Sequence, residues 1–281
     1  MTVWEPFFEG GTDPKNGTEE IITSDVSKAW PVSDAAVGAL TYALEIVTGI
    51  IGSRSRWRTM PWLVLLFGFL IAPLGIVSIT FIVIQPIVIG TWCTLCLIAA
   101  AAMLVQIPYS LDELLATIQF LLRRRRAGQR LLRIFFVGDT DEGADDRGVS
   151  DEFTRPPSVV LKDMARGGVG LPWTLALSAA IGAWLMFTRL TLGAEGSMAN
   201  ADHLIGALVL TTTAVASAEV ARPARFLNII FGMALLITPF AYSAGTASMI
   251  ASWICGLALI ALSLPRGPIR NAYGSWSRWL V

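Results

Sequence analysis

Thr91-Trp92-Cys93-Thr94-Leu95-Cys96-Leu97 decides how this chain is read. It opens an apolar run over residues 90–108, and Gln85-Pro86-Ile87-Val88-Ile89-Gly90 separates that run from another over 61–84. About 20 mostly apolar residues in a helix cross a bilayer. The two runs therefore read as consecutive spanning helices, joined by a tight apolar reversal that stays at the membrane surface. Pro61 suits the first turn of the earlier helix. The later one begins with two cysteines at i and i+3, which share one helical face.

Working outward, five more runs have spanning character: 33–52, opened by Ser33-Asp34 as a cap, then 171–191, 203–220, 225–242 and 246–264. The expected fold is all-α and polytopic, with about seven transmembrane helices in contact with the lipid bilayer. The composition agrees, since 54% of the 281 residues are apolar and only 15% are charged. Such a balance excludes an ordinary soluble domain. Nucleic acid is excluded as a partner, because the arginines sit at the ends of apolar runs rather than along one patch. Three cysteines cannot form a disulfide framework. The segment from Met1 to Trp30 is polar and acidic without an apolar core, so no cleavable signal sequence is expected there.

Arginine placement sets the expected orientation. Arg54, Arg56 and Arg58 lie between the first two runs, Arg123 to Arg126, Arg130 and Arg133 follow the third, Arg222 and Arg225 lie between the fifth and sixth, and Arg266, Arg270 and Arg278 follow the seventh. Alternation puts all of them on one face, the cytoplasmic face of an inner membrane. The N-terminus is then outside and the C-terminus inside, and the outer face carries few basic residues beyond Lys15 and Lys28. The expected organisation is an outer segment 1–32, a three-helix region 33–126 ending in an interfacial helix, a cytoplasmic linker 127–168, a four-helix module 169–266 and a tail 267–281. Residues 109–122 place apolar side chains at helical spacing ahead of four arginines, as an interfacial helix on an anionic leaflet would. Residues 138–155 read as a flexible acidic linker. In the second half, Gly182 and Gly206 recur as Gly232 and Gly256, at an offset of fifty. Two duplicated helix hairpins with close glycine contacts are expected.

The cysteine pair carries the candidate chemistry. Cys93 and Cys96 can close a reversible disulfide, and unpaired N–H groups at a helix start favour the thiolate. The outer face permits disulfides, whereas cytosolic reductants would keep the thiols reduced. Cys93, nearer the helix end, is expected to be the more exposed and to meet protein thiols; Cys96, one turn deeper, is expected to face a cofactor inside the bundle. Leu97 in place of a histidine rules out covalent haem attachment. No second cysteine pair or histidine cluster exists, so no metal site is expected. His203 is expected to be satisfied or solvated, and Cys255 to be a packing residue. Glu45 lies too deep in the first run to be a base for Cys93, and a buried structural role is expected. Trp92 either lines a pocket for a flat ring or anchors at the interface. Asn16-Gly17-Thr18 matches a glycosylation sequon.

Residues 30–108, with Val37-Gly38-Ala39-Leu40-Thr41-Tyr42 and Trp92-Cys93-Thr94-Leu95-Cys96-Leu97, resemble the vitamin K epoxide reductase family. The resemblance implies that Cys93 and Cys96 are the active site, exchanging electrons between a thioredoxin-like partner outside the membrane and a noncovalent quinone of ubiquinone or menaquinone type. Trp92, Tyr42, Gln85 and Gly38 are the expected quinone contacts, with Tyr42 or Gln85 donating to a carbonyl. The family also has a further N-terminal helix and a shuttle cysteine pair, which this sequence lacks. Another subunit supplying them, direct attack by a partner thiol, or a catalytically inactive accessory subunit of a larger complex are the readings that follow. Residues 159–266, with Leu171-Pro172-Trp173 and Asp202-His203-Leu204-Ile205-Gly206-Ala207, resemble the SPW-repeat membrane module.

Overall fold

The computed structural model describes residues 3–11, 14–28, 31, 34–51, 56–139 and 169–269. A helix occupies each of the seven expected segments. These are α2 (Asp34–Ile50), α4 (Pro61–Ile84), α5 (Thr94–Arg126), α7 (Trp173–Met186), α9 (Gly196–Ser217), α10 (Leu227–Ala241) and α11 (Thr246–Ser263). Short helices α1 (Gly17–Thr23), α3 (Arg56–Thr59), α6 (Leu131–Val137) and α8 (Thr188–Thr191) fill the connections. The chain is an all-α, multi-pass membrane protein. Four stretches are long and apolar enough to cross a bilayer on those grounds alone: Pro61–Ile89, Thr94–Arg126, Glu219–Ala241 and Thr246–Ser263. The segments Ala35–Ile50 and Trp173–Met186 are apolar but shorter. Helix α9 begins seven residues before the run expected at 203, and its added turns bury Met198, Ala199 and Asp202.

Several sequence expectations are corrected. Residues 109–122 are not a separate interfacial helix; α5 continues through Pro108 to Arg126 as one helix. Leu111 and Leu115 pack against Ala218 and Val220 of the second half instead of facing lipid. The linker starts later than 127, since α6 follows α5 with Ile134 buried. It is held by an Arg124–Asp139 ion pair of 2.9 Å and by a hydrogen bond of 3.0 Å from the Asp139 N–H to the Arg58 carbonyl. The Ser33 cap and the acidic stretch 140–155 lie outside the described residues, and the tail is described only to Ile269.

Some arginines of the charge count are internal caps rather than solvated anchors. Arg56 pairs with Glu113 and donates to the carbonyls of Thr48 and Gly49 at 3.1 and 2.9 Å, closing the end of α2. Arg222 and Arg225 are buried within the 3₁₀ segment Glu219–Phe226. Arg222 donates to the Gly170 carbonyl at 2.9 Å, and Arg225 to that of Ser263, the last residue of α11, at 3.2 Å. Carbonyls left open at helix ends accept such donors readily.

The glycine offset reappears as close backbone packing. A Cβ on Gly206 would lie 2.5 Å from the Gly182 carbonyl oxygen, and one on Gly256 would lie 2.7 Å from that of Gly232. The α7–α9 and α10–α11 hairpins therefore meet at glycine pairs that admit no side chain. Leu185, Ile205, Val209, Leu235 and Leu259 form the core between the hairpins, with Cys255 packed against it. Helix α9 in turn packs along α5 and α4, so the second half joins the first beside the cysteines.

Candidate active site

Cys93 is the N-cap of α5, just outside the span. Its Sγ accepts the Cys96 N–H at 3.1 Å, one of the donors a helix start leaves open. Hydrogen bonding with Cys96 lowers the Cys93 thiol against the upward push of burial and of the Glu5 charge, and with help from Thr18 holds it at about 6. Both cysteines are free thiols here.

The expected exposure order is reversed. Cys93 is only 1% exposed, whereas Cys96 is half-buried. The cover is the N-terminal segment, whose fold was not apparent from its polar composition. The Glu5 carboxylate accepts the Thr94 N–H at 2.8 Å, the Thr94 hydroxyl, and the Thr18 hydroxyl at 2.7 Å. Burial pushes the Glu5 carboxyl up, but the Thr18 and Thr94 hydrogen bonds outweigh it and bring it down to about 2. Two acidic groups, Glu5 and Cys93, thus share the N-terminus of α5. The Thr91 hydroxyl donates to the Glu9 carbonyl at 2.7 Å, and Gly17 lies so close that a Cβ would stand 2.3 Å from the Trp92 carbonyl oxygen. The sequon residues are engaged in this cover. Asn16 caps α1 through the Glu19 N–H and donates to the Val3 carbonyl at 2.7 Å.

Of the other expected contacts, Gln85 is at the pair. It is buried, and its Oε1 accepts the Cys93 N–H at 3.1 Å. Trp92 is buried rather than anchored at the interface, its ring 5.4 Å from Phe8, 5.8 Å from Phe187 and 6.3 Å from His203. Tyr42 is farther off, against Phe67, Ile71 and Met103, with its hydroxyl 3.4 Å from Ser78 Oγ. Gly38 is not brought to the pair; a Cβ there would meet nothing within 4 Å. Glu45 is buried, and its carboxylate faces Gln106 without closing a hydrogen bond of ordinary geometry.

Cys96 packs in an apolar cluster with Ile82, Leu97, Ala100, Phe187 and Leu210. Those neighbours line a cavity of about 210 Å3 between α4 and α5 on one side and α7 and α9 on the other. Its walls are apolar except for Ser78 and Thr211. Ser78, Phe187 and Thr211 were not singled out in the sequence; apolar and hydroxyl residues in a spanning helix give no signal of which face they occupy. Arg189 was also passed over. It lies at the cysteine end, donating to the Pro86 carbonyl at 2.8 Å. No group of His, Cys, Asp or Glu that would hold a metal occurs among the described residues.

A membrane helix that starts with two free cysteines beside an apolar cavity is an arrangement that can support thiol–disulfide exchange. Residues 10–111 match the model of the vitamin K epoxide reductase family, and residues 172–265 match that of the SPW repeat domain. One chain thus joins a region similar to the vitamin K epoxide reductase family to a region similar to the SPW repeat domain. The first match begins at residue 10, twenty residues before the likeness read from the sequence, and so takes in α1 and part of the cover. No curated protein and no solved structure matches the chain.

Proposed function

We propose that the protein is a membrane thiol–disulfide oxidoreductase in which Cys93 and Cys96 pass electrons from an extracytoplasmic protein dithiol to a quinone. The observation that carries this reading is the position of the pair: Cys93 caps the N-terminus of α5, while Cys96 packs against Ile82, Met186 and Ala207, which line the apolar cavity. A thiolate of a thioredoxin-like partner attacks Cys93 of the Cys93–Cys96 disulfide, releasing Cys96 as the leaving thiolate. The partner's second thiolate then resolves the mixed disulfide, so the partner leaves oxidised and Cys93 and Cys96 are reduced. The pair recloses by giving up two electrons and two protons. A bound quinone supplies the acceptor for both. The cavity suits a single-ring head group, being larger than the ~150 Å3 that accommodates benzene in an engineered core. Ser78, backed by Tyr42, is the polar group on its wall that fits a quinone carbonyl.

The cysteine end faces the extracytoplasmic side of an inner membrane and the arginine end faces the cytoplasm, following the positive-inside pattern. A partner reaches Cys93 only after residues 3–28 lift from the N-terminus of α5. The test is thiol trapping of the full-length chain in native membranes, with Cys255 replaced by serine. Cycling of the pair between dithiol and disulfide on addition of a reduced thioredoxin-like protein and then a quinone is expected. A pair locked in one state under both treatments would leave an accessory, non-redox subunit as the better account.

A further inference from the structure

Pro86 lies at the end of α4, inside the π turn Gln85–Ile89. A proline has no N–H, so the carbonyl four residues earlier, that of Ile82, loses its helical donor. The next open carbonyl is that of Pro86, because the Gly90 N–H bonds to Gln85 instead, at 2.9 Å. In a membrane such groups need partners from elsewhere in the protein. Both partners come from the second half. His203 Nε2 lies 3.0 Å from the Ile82 oxygen, and Arg189 donates to the Pro86 oxygen at 2.8 Å. His203 Nδ1 lies 3.0 Å from the carbonyl of Met186. A neutral ring donates through one nitrogen only, and the tautomer protonated at Nε2 is the one that serves the Ile82 carbonyl. Arg189 is braced by Asn200 at 2.6 Å. Between these contacts sits Gln85, which holds the Cys93 N–H.

We infer that the SPW-repeat half is a built wall of the redox site, with His203 and Arg189 as positioning residues. They fix the Ile82–Gly90 turn, and through Gln85 the cysteine pair, while α7 and α9 close the cavity below Cys96. This rests on the reading of the pair as a redox site, and extends it by giving the second half a defined task there. The latch joins residues 103 and 121 positions apart in sequence, and the cavity has no closed wall without Ala183, Met186, Phe187, Ala207, Leu210 and Thr211.

The test uses the full chain in native membranes, with Cys255→Ser, and reads the alkylation rate of Cys96 by a membrane-permeant maleimide. His203→Phe keeps a ring against Trp92 but removes both nitrogens; a rise of tenfold or more is expected. Adding Pro86→Ala restores an N–H for the Ile82 carbonyl and should return the rate to within about threefold of the parent. An unchanged rate in His203→Phe, or no rescue by Pro86→Ala, would overturn the inference. Thr211→Phe fills the cavity from the second half and does not touch the latch, so it stays informative if His203→Phe fails to fold. It should slow Cys96 alkylation at least fivefold, and an unchanged rate would also overturn the inference. None of these readouts needs quinone turnover. A parent that never cycles with quinone therefore refutes the proposed function and leaves the wall to be decided separately.

Discussion

Glu5→Ala tests whether the N-terminal segment guards the thiol. The substitution removes the two hydrogen bonds that tie the segment to Thr94, and one to Thr18 within the segment itself. Bonds to a charged acceptor are worth about 1.5–3 kcal/mol when buried; at this partly exposed site about 1 kcal/mol for each bond to Thr94 is appropriate, giving about 2 kcal/mol against opening. If alkylation needs the segment to open, that loss raises the open population, and hence the rate, about 30-fold. The assay is mass-resolved alkylation of Cys93 at pH 8 in a Cys255→Ser background. Removing the Glu5 charge also favours the Cys93 thiolate, but with the thiol already held at about 6 it is almost fully ionised at pH 8. A rate increase therefore reports opening rather than ionisation. Glu9→Ala is the control, since only the backbone carbonyl of Glu9 contacts the site. An unchanged rate in Glu5→Ala would refute the idea that the segment is the barrier.

Alkylation of Cys93 in the wild type should follow a titration with its midpoint near pH 6, and Cys96→Ala should move the midpoint upward, because the Cys96 hydrogen bond is the leading cause of the lowered value. Glu5 has a folded value of about 2, below its ordinary one, so its contribution to holding the cover is complete above about pH 4.5 and is lost as pH falls through 2. Protease protection of residues 3–28, read in a Cys93→Ala background so that no thiol titrates beneath the segment, should therefore be constant from pH 5 to 8 and fall in stronger acid. Gly206→Ala would put a Cβ 2.5 Å from the Gly182 oxygen and should destabilise the α7–α9 hairpin by about 1–3 kcal/mol, whereas Gly38→Ala, inside α2 with nothing within 4 Å, should not lower the melting temperature. A double-mutant cycle on Arg56→Ala and Glu113→Ala should give a coupling of about 1 kcal/mol, and a value near zero would show that the pair does not tie α3 to α5.

The helices were legible because each follows an apolar run, four of them long enough to span a bilayer, and so was the glycine repeat, because close helix contact in lipid demands small residues at fixed spacing. The cysteine pair was legible from its spacing alone. What surrounds it was not. Glu5 and Thr94 are 89 positions apart, and Ile82 and His203 are 121 apart, so no local pattern links them. The exposure of Cys93 was misjudged for this reason, since proximity to a helix end says nothing of what folds over that end. Gly38 was named from its place on the outer half of a span, yet α2 leaves it facing open space. The arginines at 222 and 225 lie at a span boundary, where charge usually faces solvent; here the carbonyls of Gly170 and Ser263 draw them inside.

The kink at Pro86 has a consequence for the order in which the protein is made. Residues 82 and 86 leave the ribosome 121 and 103 positions ahead of the side chains that complete them. At about 5–20 residues per second, the first domain waits roughly 5–25 s with two carbonyls unmet. The cavity cannot take its final shape in that interval. Assembly of the cavity beside the cysteine pair is thereby tied to arrival of the later helices, and a truncated chain would keep the pair without that wall.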